Sequence, residues 1–410
     1  MNKTYSLNNY HTTSLSSKFA CQSCGECCRG WAIYIDEKTY QDLSKYFNKY
    51  PLPYTNQQLF IIEEKDGKKT ITNNMINNQC IFLEDNNLCY IHRVIGKEAK
   101  SEICTTYPQK FSATPRGLFN TLSFSCLAAA KLLNYKKLFK VELFSHSLPI
   151  DPAKELDYHE DKKLSWSLYF LIETHLMNLI EKENYIFEER IIMGSFLLWN
   201  IYENFIKVGN KNYKDIKESL ERLKANNYQS IFQSLKKTRS SAHIQLKFLF
   251  ILLKRRLDLS KIQLVGNNKS FDDFIGLVYN RFNLKNDLSN FNSKCAIEYL
   301  RAYRNDYQIH INNFDHVFKN YFLHKIFGKN LFTGYGIIKG YHIILTLYAL
   351  MRFYCMLFWS DNFNYEDIFK SISLIERLYV HSPGTLEFWK NVDEIEVMHK
   401  PIFAYTLIHL

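Results

Sequence analysis

The chain has 410 residues, 46% of them hydrophobic and 23% charged, an ordinary globular composition with ample material for a sizeable core. Only 14 glycines and 8 prolines argue against a long all-β architecture built on tight turns, and the aromatic share of 16% is high. The net charge of +11 suits an acidic partner, but it suits a lysine-rich solvated surface equally well and selects no partner class by itself.

In chain order, residues 1–18 are polar and contain no apolar run of signal-peptide length. They read as a loose arm, and the protein reads as cytosolic. Residues 31–35 predict a strand, and Asp36 predicts the N-cap of a helix reaching about Phe47. Residues 60–64 and 68–72 flank Asp66-Gly67, a hairpin signal. Residues 80–83 and 88–91 flank a second turn, where Asn87 can adopt the left-handed backbone. Residues 126–133 begin a helical pattern, and Leu148-Pro149 with Asp151-Pro152 then break the chain.

Beyond about residue 160 the period is helical. One amphipathic segment holds Trp166, Tyr169, Phe170, His175 and Leu176. Further helices are predicted near 187–207, 212–234, 241–257, 270–282, 294–327, 337–359 and 364–380. Residues 341–359 are apolar, but Arg352 near their centre favours a buried core helix over a membrane span. No repeat of fixed period is present. The predicted fold class is α+β, mostly α. A flexible arm (1–18) leads into a small Cys-rich module with short hairpins (19–150), packed on a larger helical, aromatic-rich body (151–410).

The thiols are the strongest chemical signal. Eight of the ten cysteines lie in the first 126 residues, four of them in Cys21-Gln-Ser-Cys24-Gly-Glu-Cys27-Cys28. The others are Cys80, Cys89, Cys104 and Cys126. Packing cysteines would be scattered, and in a reducing compartment a dense thiol pattern favours metal over disulfides. A C-x-x-C step lets two sulfurs approach one ion at about 2.3 Å. Two such steps run in tandem here, with Gly25 freeing the turn between them. Cys80 and Cys89 fall on adjacent predicted strands, and Cys104 and Cys126 can return by tertiary folding.

Eight thiols exceed the needs of one zinc ion, whereas an iron–sulfur cluster takes four cysteines, often a compact run plus one remote residue. Ferredoxin spacing fails at Trp31, and the C-x3-C-x2-C spacing of radical S-adenosylmethionine enzymes is absent. An iron–sulfur cluster, zinc or another ion, and structural or redox thiols without metal all stay open. Adjacent side chains point apart, so Cys27 and Cys28 are not expected to share one small ion, nor all eight thiols one cluster.

At these residues the chain resembles the flagellin lysine-N-methylase family, within the wider group of cysteine-cluster proteins. The matching run is Phe19-Ala-Cys21-Gln-Ser-Cys24-Gly-Glu-Cys27-Cys28-Arg29-Gly30-Trp31, followed by Ile35-Asp36. Cys80-Ile-Phe-Leu83, Leu88-Cys89-Tyr-Ile-His92, Cys104-Thr-Thr-Tyr107-Pro108 and Ser125-Cys126-Leu-Ala-Ala-Ala-Lys131-Leu132 continue it, with the aromatic segment 314–332 behind. The resemblance implies methyl transfer from S-adenosylmethionine to lysine side chains of flagellin, and a 4Fe–4S cluster on the N-terminal cysteines. Carried onto this chain, the metal-ligand candidates are Cys21, Cys24, Cys27, Cys28, Cys80, Cys89, Cys104 and Cys126. Flagellin is the implied partner, with neither nucleic acid nor membrane expected. The chain departs from the family at Thr105 and Gln109, where arginines usually flank Tyr-Pro, at Leu127 for a proline and at Asn87 for a glycine. No thiol is lost. The alternative is a non-enzymatic metal-binding or redox-sensing cysteine-cluster protein.

Methyl transfer to lysine needs an uncharged amine held in line with the donor, hence a site that lowers its pKa and positions two substrates. The residues name no catalytic group and no donor site. Gly334-Tyr-Gly336 through Gly340 is the nearest approach to a cofactor loop, with the wrong spacing and no preceding strand. Aromatic residues at helical spacing read as core. The basic residues Lys236, Lys237, Arg239, Lys247, Lys254, Arg255 and Arg256 read as a solvated helix face rather than a docking stripe. His92 could be a non-thiol ligand, but a surface position suits it better. Cys295 and Cys355 read as packing residues, and Arg352 requires a carboxylate partner.

Overall fold

A computed structural model describes residues 10–65, 67–136, 139–144, 164–209, 212–225, 233, 235, 241–262, 269–304, 312–359, 363–381, 385–393 and 400–409. The first half of the predicted arm, Asp66 of the first hairpin turn, the Pro149 and Pro152 breaks, and Lys236, Lys237 and Arg239 lie outside these residues.

The arm is not loose throughout. Strand β1 (Tyr10–Thr13) lies inside a sheet, and Ser16–Lys18 forms a 3-10 turn behind it. Its threonines are buried and hydrogen-bonded rather than solvated, with the Thr12 hydroxyl donating to Asn120 Oδ1 at 3.0 Å. A polar strand of this kind lacks the apolar alternation that announces a strand.

Helix α1 (Glu37–Lys49) starts where Asp36 predicts, its carboxylate accepting from the Thr39 N–H at 2.9 Å. Strands β2 (Phe60–Lys65) and β3 (Lys68–Asn73) form the expected hairpin around Gly67, whose φ of 71° only glycine adopts freely. The strand predicted at 31–35 shrinks to a single bridge between Tyr34 and Thr72. The second hairpin also contracts. β4 (Met75–Ile76) pairs with β5 (Gln79–Cys80), and Leu83 meets Cys89 in one bridge. The chain coils immediately after Cys89, whose carbonyl accepts from the Arg93 N–H, so no second strand can extend.

Helix α2 (Glu102–Thr106), capped by Ser101, precedes a hairpin of β6 (Gln109–Thr114) and β7 (Gly117–Leu122) that the apolar pattern does not reveal. Helix α3 (Leu127–Lys131) and strand β8 (Val141–Phe144) complete the region. The main sheet has the order β6-β7-β1-β8, with β1 parallel to β7 and antiparallel to β8.

The rest is helical: α4 (Trp166–Ile180), α5 (Phe187–Ile201), α6 (Tyr213–Ala225), α7 (Ala242–Ile262), α8 (Lys269–Phe282), α9 (Ser293–Ala302), α10 (Asp315–Gly328), α11 (Asn330–Tyr335), α12 (Ile337–Leu357), α13 (Tyr365–Glu376), α14 (Thr385–Asp393) and α15 (Pro401–Ile408). The segment predicted as one helix over 294–327 is two, α9 and α10. Helix α12 is long and apolar enough to cross a bilayer, yet 94% of its apolar window is buried among its neighbours. Arg352 within it pairs with Glu188 at 2.9 Å and donates to the Ile408 carbonyl at 2.6 Å. The required carboxylate is therefore a tertiary one.

Two apolar cores divide the described residues. The large one unites the helical body with β7, α3 and Leu15. The small one has ten buried residues, among them Leu43, Phe47, Phe60, Ile71, Phe82 and Tyr90. The Cys-bearing segment thus straddles both: its middle has a core of its own, and its ends belong to the body.

Candidate metal centre

The thiol site is built from five short pieces. In the first, Gly25 takes φ 71° and its carbonyl accepts from the Cys28 N–H, closing a 3-10 turn over Glu26–Cys28. This turn brings the sulfurs of Cys27 and Cys28 to 3.9 Å, so the two face the same space rather than pointing apart. Adjacent side chains diverge on a strand, but not on a turn wound this tightly.

Arg29 clamps the turn. Its guanidinium donates to the Cys24 carbonyl at 3.2 Å and to Asn87 Oδ1 at 2.5 Å. Asn87 has φ 64° and supplies both the left-handed turn and an anchor for Arg29, a task a glycine there could not perform.

Cys80 ends β5. The Cys89 sulfur accepts from the Ile91 and His92 N–H groups where the chain begins to coil. Cys104 sits in α2 beside the Ser101 hydroxyl. Cys126 is the N-cap of α3, its sulfur facing the Ala128 and Ala129 N–H groups. Backbone N–H groups aimed at sulfur favour the thiolate, the form that binds metal.

Cys27, Cys28, Cys80, Cys89 and Cys104 form one connected electrostatic group: Cys28 senses Cys27, Cys80 and Cys89, Cys80 senses Cys89 and Cys104, and Cys104 senses Cys89 and Cys27. Cys126 is in range of Cys24 and Cys27. Cys27 is the member common to both groups. Cys21 is exposed, its sulfur accepting from the Ser23 N–H. His92 is also exposed. Cys295 and Cys355 are buried far along the chain, donating to the Phe282 carbonyl and Ser371 hydroxyl, as packing residues do.

The Cys28 thiol donates to Cys27 and brings it down to about 6 against the opposing effect of burial, with Lys100 and Arg377 assisting. The same contact drives Cys28 upward. Burial pushes Cys80 up to about 12 and Cys126 up to about 11. Among the described residues no three His, Cys, Asp or Glu side chains stand close enough to hold a bare ion. The thiols form an open cup. As a donor set, six or more sulfurs with N–H donors and two cations nearby fit a thiophilic metal or an iron–sulfur cluster.

Behind the cup a polar chain enters the helical body. The Trp31 indole donates to the Cys27 carbonyl at 3.1 Å, and Arg377 lies over its ring at 5.3 Å. Arg377 also reaches Glu26 at 3.5 Å and donates to the Ser125 carbonyl at 3.0 Å. The Tyr107 hydroxyl bonds Ser125 Oγ at 2.9 Å, Ser125 bonds Ser123 at 2.6 Å, and Ser123 bonds His381 Nε2 at 2.7 Å. His381 stands 3.9 Å from Glu376, a fully buried carboxylate that accepts from Tyr321 and Lys325, each at 2.6 Å. Burial, then Lys110, Lys325 and Arg377, hold His381 well below its usual range and hence neutral. Tyr107, Ser123 and Ser125 sit beside recognisable thiol motifs. Glu376, Arg377 and His381 carry no motif signal and are found only through the fold.

The glycine segment is not a cofactor loop. Gly336 separates α11 from α12 at φ 81°, and a Cβ on Gly340 would collide with Phe332 and the Leu331 carbonyl. Gly340 thus serves helix packing and Gly336 the break between helices, whereas a Cβ on Gly334 would meet nothing within 4 Å. In the basic stretch Lys247 and Lys254 are exposed, whereas Arg256 is buried.

Two family models match the chain. One, a zinc- or iron-chelating CxxCxxCC domain, covers residues 20–126 and so contains every thiol of the cup. The other, the FliB lysine N-methylase C-terminal domain, covers residues 174–398, more than half of the chain. The flagellar biosynthetic protein FliU of Salmonella muenchen is 22% identical over 114 residues, spanning 26% of this chain and 66% of that protein. No solved structure matches. With the methylase model spread over the same helices that close behind the thiol cup, the chain belongs to the FliB lysine N-methylase family.

Proposed function

We propose that this protein is a cytoplasmic lysine N-methyltransferase that moves a methyl group from S-adenosylmethionine to lysine side chains of flagellin. We place a 4Fe–4S cluster in the thiol cup, with Cys27, Cys28, Cys80, Cys89 and Cys104 as the inner candidates and Cys24, Cys126 and Cys21 progressively outside them. The carrying observation is the continuity between cup and body. One polar chain runs inward from the exposed Cys27 through Trp31, Arg377, Ser125, Ser123 and His381 to the buried Glu376. The chelating segment and the methylase segment are in this reading one working unit, with the domain division kept at about residue 150.

An iron–sulfur cluster supplies a one-electron centre and a cross-link among five chain segments. The protein's own groups would do the remaining work. Trp31 and Arg377 fix the Glu26–Cys28 turn against the body. Glu376 fixes Tyr321 and Lys325. His381, held neutral, anchors Ser123 against the body. An acceptor lysine must shed a proton before it attacks the sulfonium methyl, and the group that receives it is not identified among these residues.

The test uses anaerobically purified full-length protein, methyl-labelled S-adenosylmethionine and purified flagellin. Label on flagellin lysines, with iron and acid-labile sulfide near four each per chain, is the expected result. Protein that holds zinc, contains no iron and transfers no label would instead be the non-enzymatic metal-binding module.

A further inference from the structure

Arg377 is the first residue of the turn Arg377–His381, directly after α13. Its neighbour Glu376 is fully buried in the body, where it accepts from Tyr321 and Lys325. Arg377 reaches the thiol cup instead, and there it meets two of the five thiol-bearing pieces. On the Cys27 side it reaches Glu26 at 3.5 Å and lies over Trp31 at 5.3 Å, and the Trp31 indole holds the Cys27 carbonyl. On the Cys126 side its Nε donates to the Ser125 carbonyl at 3.0 Å, an oxygen that also accepts from Ser373 Oγ at 2.9 Å. One guanidinium thus fixes the chain beside both Cys27 and Cys126.

Its charge is not cancelled by its pairing. Glu26 is flanked by Arg377 at 3.5 Å and by Arg29 at 3.7 Å, and one carboxylate cannot neutralise two guanidiniums. The Arg377 side chain is 14% exposed against 32% for Arg29, so water and salt screen it less. Its field reaches the Cys27 thiol and favours the thiolate there, in the same sense as Lys100. Lys100 and Arg29 lie within the chelating match, whereas Arg377 lies within the methylase match.

We infer that Arg377 is the positioning residue by which the helical body sets the reduction potential of the metal centre. The inference rests on the iron–sulfur reading above and names the part of the body that acts on the centre. Reduction adds one electron, and hence one negative charge, to a thiolate-ligated cluster. A poorly screened cation beside a ligand sulfur stabilises that added charge and raises the potential, and the contacts with Glu26, Trp31 and Ser125 keep the cation in place. Lysine would carry the same charge without the planar fork that serves carboxylate, ring and carbonyl together.

The experiment is an anaerobic redox titration of the full-length protein followed by electron paramagnetic resonance. Arg377→Met should lower the midpoint potential of the cluster. Arg377→Lys should return it most of the way to the wild-type value while leaving the resonance spectrum altered, because the charge is restored and the clamp is not. Glu26→Gln, at a partly exposed side chain, leaves both guanidiniums unopposed and should raise the potential. That opposite sign keeps the inference testable even if Arg377→Met fails to fold. A wild-type potential in Arg377→Met or in Glu26→Gln, or equal displacement in the methionine and lysine variants, would overturn the inference and leave the iron–sulfur reading standing. Wild-type protein without iron would overturn both.

Discussion

The thiol region and the helical body solve the same problem in opposite ways. The body closes one large apolar core around α12, which is buried along its length. The thiol region has ten buried apolar residues to hold an α-helix, two small hairpins and a succession of turns together. A core that small is marginal alone, and small domains of this kind gain stability from a metal or disulfides. Its ordering comes from backbone detail instead: the Asp36 cap, the left-handed Gly25 and Asn87, and the Arg29 clamp. Metal is thus expected to matter to the fold of one region and hardly to the other.

The sharpest way to break this contrast is at the thiols. Cys27→Ser should remove metal almost completely, because Cys27 is in range of both thiol groups, whereas exposed Cys21→Ser should retain most of it. Metal analysis of the two variants checks this, and near-wild-type far-UV circular dichroism in both would show that the helical body stands without it.

Next in size is a packing change in the body. A Cβ on Gly194 would land within the radius of the Tyr341 hydroxyl, which is fully buried and donates to the Ile191 carbonyl at 2.8 Å. Gly194→Ala should therefore destabilise by about 3 kcal/mol, as overpacking does where neither neighbour can move. Chemical denaturation followed by tryptophan fluorescence measures it, and an unchanged midpoint would mean that α5 and α12 have room to part.

A pH effect comes third. Burial, reinforced by Glu188, raises Asp315 to about 7, against the pull of Arg190 and Arg352. A folded-state carboxyl above its unfolded value binds its proton more tightly when folded. Its contribution is present in acid and is lost as pH rises from about 4 to about 7. Asp315→Asn should gain roughly 2 kcal/mol on wild type across that window, and melting curves at pH 4.5 and 7.5 would reveal a gap of the wrong sign at once.

The smallest effect belongs to the thiol region's first helix. Asp36→Ala removes the cap of α1 and should cost about 1 kcal/mol. It should also accelerate hydrogen exchange in α1 while leaving α12 untouched.

What was legible in advance follows from which interactions repeat. Asp36, Gly67, the thiol motifs and the apolar helices each carry a local or periodic signal, and each appears close to where it is expected. The main sheet does not. Its central strand is Tyr-His-Thr-Thr, and its buried faces are satisfied by hydroxyls and amides such as Thr12 with Asn120, which no apolar period announces. Arg377, Glu376 and His381 were hidden for a related reason: a single charged residue on a helix acquires its meaning from what the fold sets opposite it. The divergence expected of Cys27 and Cys28 was a strand's geometry applied to a 3-10 turn.

The pairing of β1 with β7 has a consequence for how the protein is made. Tyr10 and Leu118 are register partners, so seven of the eight thiols belong to a loop whose two ends are stitched side by side, and Cys126 follows a few residues later. During synthesis β1 emerges first and must wait for more than a hundred residues before its parallel neighbour exists, and longer still for β8. Until then the thiols hang on an open tether. Once the strands meet, the entropic cost of gathering distant sulfurs has already been met by the sheet, and it grows only slowly with the length enclosed. Delivery of metal is therefore expected to follow completion of the sheet rather than to drive it, and a nascent chain stalled before residue 117 should be a poor acceptor.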